Sequence, residues 1–247
     1  MPSKLLTADC DPMGTAIAEY YRTGRAARLR VFSTMFDEDE LPVSVLFRTE
    51  GQMSALERCA LAGARGRVLD VGAGSGCHTL ALQQRGLEVD AIDVSPLSVG
   101  VMQARGVRSA RHADFFDEGW RGTYDTILML MNGSGIVGKV EFLPRFFERA
   151  DRLLAPGGAV WMDSSDLRYI YEDEDGNMPP EVLDGYYGEV DYRMCYRGVE
   201  GKPFDWLYVD FDTLAVQAAA CGFVAEKVAD GEHYDYLARL SRSAERE

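Results

Sequence analysis

Three short apolar, β-branched runs stand out along the chain: RVLDVG (67–72), EVDAID (88–93) and YDTILMLM (124–131). Between and after them, one face recurs every three or four positions, through Leu80, Ala81 and Gln84 in HTLALQQRG (78–86) and through Phe142, Phe146, Ala150 and Leu153 in EFLPRFFERADRLLAPGG (141–158). Gly86 and Pro156-Gly157-Gly158 act as stops, and GAVWMDSSD (158–166) reads as a further strand. Strands alternating with helices in this rhythm predict a parallel sheet covered on both faces. Near the C-terminus the order becomes helix 212–221, strand 223–230 and strand 234–241, the last two joined by Gly231-Glu232-His233. So short a link suits an antiparallel pair, because a parallel return needs a crossover of about a dozen residues or more.

Two segments flank this pattern. Residues 1–60 read as a helical cap, and 167–210 as an aromatic-rich insertion with Tyr169, Tyr171, Tyr186, Tyr187, Tyr192, Tyr196, Phe204, Trp206 and Tyr208. Within the insertion, EVDYRMCYR (189–197) and KPFDWLYVD (202–210) alternate as a β-hairpin would, placed to act as a lid. The core is then 61–166 together with 211–247.

Composition narrows the partners. The 247 residues supply ample core, and a formal charge of -14 opposes binding to DNA or to anionic lipid. Cys10, Cys59, Cys77, Cys195 and Cys221 include no C-x-x-C pair, which suits thiols in a reducing cytoplasm. Three histidines give no zinc-site spacing, and MPSKLLTADCDPMG lacks the apolar stretch of a signal peptide. A cytoplasmic protein with no membrane-spanning segment is the expectation.

The chemistry concentrates at VLDVGAGSGCH (68–78), three glycines in five positions directly after the first strand. In an open parallel sheet this turn is where a ligand meets the backbone, and the following helix N-terminus favours negative charge. Glycine spacing alone allows a dinucleotide, a nucleoside or a turn without ligand, although Cys77 stands where a dinucleotide fingerprint places its third glycine. The next strand ends at Asp93, suitably placed to accept two ribose hydroxyls or to cap the following helix.

LDVGAGSG, DVSPLSV (93–99), Asp114-Phe115-Phe116 and FFERADRLLAPGGAVWMDSSD, in that order, resemble the motifs of class I S-adenosylmethionine-dependent methyltransferases over roughly residues 60–166. The resemblance implies a doubly wound, Rossmann-like, mostly parallel seven-stranded sheet with a C-terminal antiparallel hairpin. It implies S-adenosylmethionine as cofactor and S-adenosylhomocysteine as product. Asp70, Gly72, Ala73, Gly74, Gly76, Asp93, Val94, Asp114, Phe115, Met131 and Arg48 are the expected cofactor contacts, with Asp114 at the adenine amino group, Phe115 on the ring and Arg48 at a carboxylate. The expected activity is methyl transfer to O or N of a small molecule or peptide. The alternatives are a cofactor-binding regulator and, on a related sheet, a nicotinamide-dependent oxidoreductase.

Methyl transfer demands alignment more than acid–base chemistry, so acceptor-side residues are harder to read. His78, Asn132, Tyr187 and His233 are the catalytic candidates, with Tyr20, Tyr21, Asp163 and Tyr186 beside them and His112 read as structural. Catechol-type O-methyltransferases hold magnesium where Asn132, Asp163 and Asp166 fall, but the fourth strand here ends in an amide rather than an acid, so no metal is assigned. The acid run Glu172-Asp173-Glu174-Asp175 reads as a solvated loop.

Overall fold

The computed structural model describes residues 4–173 and 185–244, and in it the N-terminal segment departs from the helical expectation. It holds helix α1 (Pro12–Thr23), strands β1 (Leu29–Phe32) and β2 (Asp39–Leu41), several 3-10 turns and helix α2 (Ala55–Gly63). α1 starts where Pro12 fixes the first turn and Asp11 accepts the Gly14 N–H; it stops at Gly24, whose φ is +70°. β1 is a strand because Leu29 packs fully buried in a cluster with Ile17 and Tyr196, while Arg30 turns outward to Glu38. Its pattern is only four residues long, and the strand that completes its pairing lies far along the chain, so the local sequence does not reveal it.

The central run is β3 (Arg67–Val71), α3 (Cys77–Gln84), β4 (Glu88–Asp93), α4 (Pro96–Ala104), β5 (Ala110–His112), β6 (Tyr124–Met129), α5 (Leu143–Leu153) and β7 (Leu154–Ser165). The inserted segment supplies α6 (Arg168–Tyr171), β8 (Glu189–Tyr196), β9 (Val199–Glu200) and β10 (Phe204–Leu207). The chain closes with α7 (Phe211–Ala220), β11 (Phe223–Asp230) and β12 (Asp235–Arg242). Residues 174–184 of the expected lid, including Glu174 and Asp175 of the acid run, lie outside the described residues.

The large sheet has the order β11-β12-β7-β6-β3-β4-β5. β7, β6, β3, β4 and β5 are parallel, with Val68 opposite Val89 on one side and Thr126 on the other. β12 is antiparallel to both β7 and β11. This is the doubly wound, Rossmann-like seven-stranded sheet with a closing antiparallel hairpin. Its faces are covered by two clusters, one of Phe146, Phe147, Leu214 and Phe223 against Ile127 and Val160, the other of Leu56, Leu61 and Leu82 against Val68 and Leu128. Each such buried side chain contributes about 1.5–3 kcal/mol of transfer free energy.

The N-terminal segment and the insertion combine into a second sheet, β10-β8-β1-β2. β8 pairs antiparallel with β10 through Phe204 opposite Tyr192, and with β1 through Arg30 opposite Cys195. The strand order of the large sheet reverses between β3 and β6, so the crevice where ligands bind such sheets opens at the carboxyl ends of β3, β4 and β6.

Candidate active site

The turn after β3 is left-handed at all three glycines, with φ of +70° at Gly72, +56° at Gly74 and +83° at Gly76. Their neighbours differ. A Cβ on Gly76 would press into Val107 and Met102 at 2.9 and 3.0 Å, whereas one on Gly74 would meet no protein atom within 4 Å. Gly76 is therefore needed for packing α3 against α4, and Gly74 lies bare toward open space. The turn is anchored by the Gly72 and Ala73 N–H groups on the Ile92 carbonyl, and below it buried Asp70 accepts the Thr79 hydroxyl. Burial raises the Asp70 carboxyl above its usual range.

Asp93 ends β4 with its side chain buried and both oxygens directed by neutral donors: Oδ2 accepts the Gly74 N–H and Oδ1 the Ser95 N–H, each at 2.8 Å. Burial pushes its carboxyl up to about 6, with the charges of Asp11 and Asp70 acting in the same direction. Asp114, also buried, accepts the Phe116 N–H at 2.9 Å on Oδ1 and the Lys4 N–H at 2.9 Å on Oδ2. Lys4 belongs to a strap that crosses the strand ends: its Nζ donates to the Ile136 carbonyl at 2.9 Å, and the Leu6 N–H donates to the Val94 carbonyl at 2.8 Å. The same Val94 carbonyl lies 2.9 Å from His112 Nε2, which gives that exposed histidine a structural contact. The Phe115 ring is 2% exposed and packs against Phe116 and Phe146 in the core.

Beyond β6 the backbone turns left-handed at two successive non-glycine residues, Met131 (φ +67°) and Asn132 (φ +59°). Partly buried Asp163, from β7, accepts the Met131 N–H at 3.1 Å and the Gly133 N–H at 2.9 Å. Burial pushes its carboxyl up to about 6 despite those bonds. Asn132 Nδ2 donates to the Leu207 carbonyl at 3.3 Å, and Asn132 Oδ1 is buried without a partner.

Arg48 and His78 meet at a residue the sequence reading passed over, Glu57. Its Oε1 lies 2.6 Å from His78 Nε2 and accepts from Arg48 Nη2, and its Oε2 accepts the Ser54 N–H at 2.8 Å. Although burial works against the charge, the bonds to His78 and Arg48 hold the Glu57 carboxyl down at about 2. The available signal was Ser-Ala-Leu-Glu (54–57), a capping box opening α2. Arg48 thus spends its guanidinium on Glu57 and the Val45 carbonyl rather than standing open.

The tyrosines divide by task. Tyr186 Oη donates to Asp210 Oδ2 at 2.6 Å and accepts the Asp210 N–H at 2.7 Å, tying the insertion to the start of α7. Tyr187 Oη donates to Asp166 Oδ1 at 2.7 Å, with the Arg168 guanidinium 5.8 Å from its ring centroid. His233 is exposed in the β11–β12 turn, where its backbone N–H donates to Asp235, and Tyr21 is exposed with its hydroxyl on the Ala104 carbonyl. Tyr20 packs on Phe47. The structure thus brings the glycine turn, Asp93, Asp114 and the 131–133 turn to neighbouring strand ends and leaves His233 at the surface. Among the described residues no group of three or more His, Cys, Asp or Glu is arranged to hold a metal ion.

These features fit a nucleoside-bearing cofactor. Two buried carboxylates, each accepting two N–H groups and, among the described residues, in no direct ion pair, retain lone pairs suited to hydroxyl and amino hydrogens, and bare Gly74 leaves room beside Asp93. Comparison with known proteins defines the class. A methyltransferase-domain family matches residues 68–158. A solved S-adenosylmethionine-dependent methyltransferase from Bacteroides fragilis, in complex with S-adenosyl-L-homocysteine, is 59% identical over 98% of both chains, with a TM-score of 0.93. The chain belongs to the S-adenosylmethionine-dependent methyltransferases. It is also 30% identical to the cypemycin N-terminal methyltransferase of Streptomyces sp over 102 residues, 40% of this chain and 42% of that protein, so it spans less than half of that relative. The CcbJ methyltransferase of Streptomyces caelestis shares the fold, with 14% identity and a TM-score of 0.63 over 94% of this chain and 98% of the other.

Proposed function

We propose that the chain transfers a methyl group from S-adenosylmethionine to O or N of a small molecule or peptide by in-line displacement. The observation that carries this reading is Asp93, a buried carboxylate held by the Gly74 and Ser95 N–H groups, with Gly74 itself bare toward open space. Asp93 would accept the ribose hydroxyls, Asp114 the adenine amino group, and Gly72, Ala73, Gly74 and Gly76 would border the amino-acid end above Asp70. Val94 would flank the nucleoside, whereas the Phe115 ring, 2% exposed and packed on Phe116 and Phe146, would not. When bound, the cofactor supplies a methyl carbon on a sulfonium, whose displacement leaves a neutral thioether. Met131 and Asn132 would face that methyl group from the end of β6. Glu57 would fix Arg48 and His78 near the start of α3, and Tyr187, braced by Asp166, would exclude water on the acceptor side. His233 has a part in this scheme only if its turn folds inward.

A small-molecule or peptide acceptor is supported by the charge of -14, which disfavours DNA, and no helix among the described residues is long and apolar enough to cross a membrane. The free thiols of Cys10, Cys59, Cys77 and Cys195 support a cytoplasmic setting. The test is incubation with methyl-labelled S-adenosylmethionine and host-cell extract, followed by mass spectrometry. A labelled product that vanishes in Asp93→Ala supports the reading. Tight S-adenosylhomocysteine binding without any labelled product supports a cofactor-binding regulator instead.

A further inference from the structure

Helix α5 turns Phe146, Ala150 and Leu153 into the core, and within that buried stripe stands a cation, Arg149, only 7% exposed. A buried cation is costly unless the groups around it take up its hydrogens. Here the takers are backbone carbonyls: Arg149 Nε donates to Phe115 at 2.8 Å, and Nη2 to Asp117 at 2.7 Å and to Trp120 at 2.6 Å. All three belong to the irregular loop between β5 and β6, so a planar fork on a regular helix fixes the path of residues 115–120. That path begins at Asp114. The Asp114 carboxylate accepts the Phe116 N–H at 2.9 Å, and its backbone carbonyl accepts the Asp117 N–H at 3.0 Å. Phe115 and Asp117, the residues interleaved with these bonds, are the ones that Arg149 holds.

We propose that Arg149 is a positioning residue for base selectivity: through the carbonyls of 115, 117 and 120 it sets the Asp114 carboxylate, and so decides how strongly the site prefers adenine over a purine without the 6-amino group. This rests on the reading of Asp114 given above. Arg149 acts at one remove, since its donors are spent on the loop. A hydrogen bond weakens steeply with poor distance and angle, so a displaced loop forfeits the amino contact. The ribose contacts at Asp93 belong to β4 and its own N–H donors, which Arg149 does not touch. Lysine is no equivalent here, because its single nitrogen cannot stand at both the Nε and the Nη2 positions.

The test measures, by titration calorimetry on the whole chain, the affinity for S-adenosylhomocysteine and for its analogue with hydrogen in place of the adenine 6-amino group. The wild type is expected to bind the first at least about tenfold more tightly, the equivalent of one charge-assisted hydrogen bond. In Arg149→Met that ratio should fall toward one through loss of S-adenosylhomocysteine affinity alone, with the analogue bound as before. Asp114→Ala should reach the same ratio, and adding Arg149→Met to it should lower the ratio no further, because both residues act through one contact. A merely loosened fold would weaken both ligands equally, so a wild-type ratio in Arg149→Met overturns the proposal, as does a further fall in the double variant. If Arg149→Met does not fold, Arg149→Lys decides: a reduced ratio supports the proposal and a wild-type ratio overturns it. A wild-type chain that binds neither ligand removes the methyltransferase reading itself, whereas one that binds both equally removes the role of Asp114 and this proposal with it.

Discussion

Replacing Asp93 with alanine removes the carboxylate expected to hold both ribose hydroxyls. Charge-assisted hydrogen bonds contribute about 1.5–3 kcal/mol each, so two of them at the lower bound give about 3 kcal/mol, on the order of a hundredfold in Kd. The carboxylate also orients the Gly74 N–H, so the loss extends into the glycine turn. Asp93→Asn is the companion variant: it keeps the shape but turns an NH2 toward either the Gly74 or the Ser95 N–H, which repels it. Titration calorimetry with S-adenosylhomocysteine, on variants shown to be folded by circular dichroism, is the assay. The pH dependence sharpens it. Since burial pushes Asp93 up to about 6 and hydroxyl donors favour its ionised form, affinity should be full above that pH and fall by up to about tenfold per unit below it. The ligand-free fold should show the opposite trend. A carboxyl raised above its unfolded value keeps a proton that the unfolded chain has released, so its contribution to stability is greatest below about pH 4 and is lost as pH rises toward 6. Asp163 adds the same sign. An Asp93→Ala protein that is folded and binds with wild-type affinity refutes the assignment.

Other outcomes follow from single contacts. Glu57→Ala should destabilise the chain by roughly 3 kcal/mol, because it strands the largely buried Arg48, as measured by denaturant unfolding. Because Glu57 is held down at about 2, its contribution should be complete above its ordinary range near 4.5 and should disappear as pH falls from there toward 2. Lys4→Ala keeps the backbone bond to Asp114 but removes the Nζ bond to Ile136; stopped-flow release of S-adenosylhomocysteine should quicken by roughly fivefold, the equivalent of about 1 kcal/mol. Tyr187→Phe should leave cofactor affinity unchanged and lower acceptor turnover, and equal turnover would make the Asp166 bond purely structural.

The parts legible in the sequence are those written locally. The β3 turn, Asp93 one helix and one strand further on and the short link between β11 and β12 each carry their signal within a few residues, so spacing and turn chemistry placed them. Glu57 was hidden because its capping box explains it without reference to His78, which reaches it only when α2 and α3 pack together. β1 and β2 were hidden for a related reason: Leu29–Phe32 is too short to display a period, and its pairing with β8 depends on tertiary structure. Lys4 lies in an irregular strap without periodicity, and nothing local announces that its N–H meets Asp114. The Met131–Asn132 backbone is likewise invisible, since left-handed geometry at two non-glycine residues is imposed by Asp163 from another strand.

The central claim is that the crevice at the ends of β3, β4 and β6 holds the nucleoside of S-adenosylmethionine. Calorimetric titration of the wild-type chain with S-adenosylhomocysteine and, separately, with NADH tests it most directly. Binding of the first at one site per chain, weakened in Asp93→Ala, with no heat from the second, is the predicted result. Tight NADH binding with none of S-adenosylhomocysteine would contradict it.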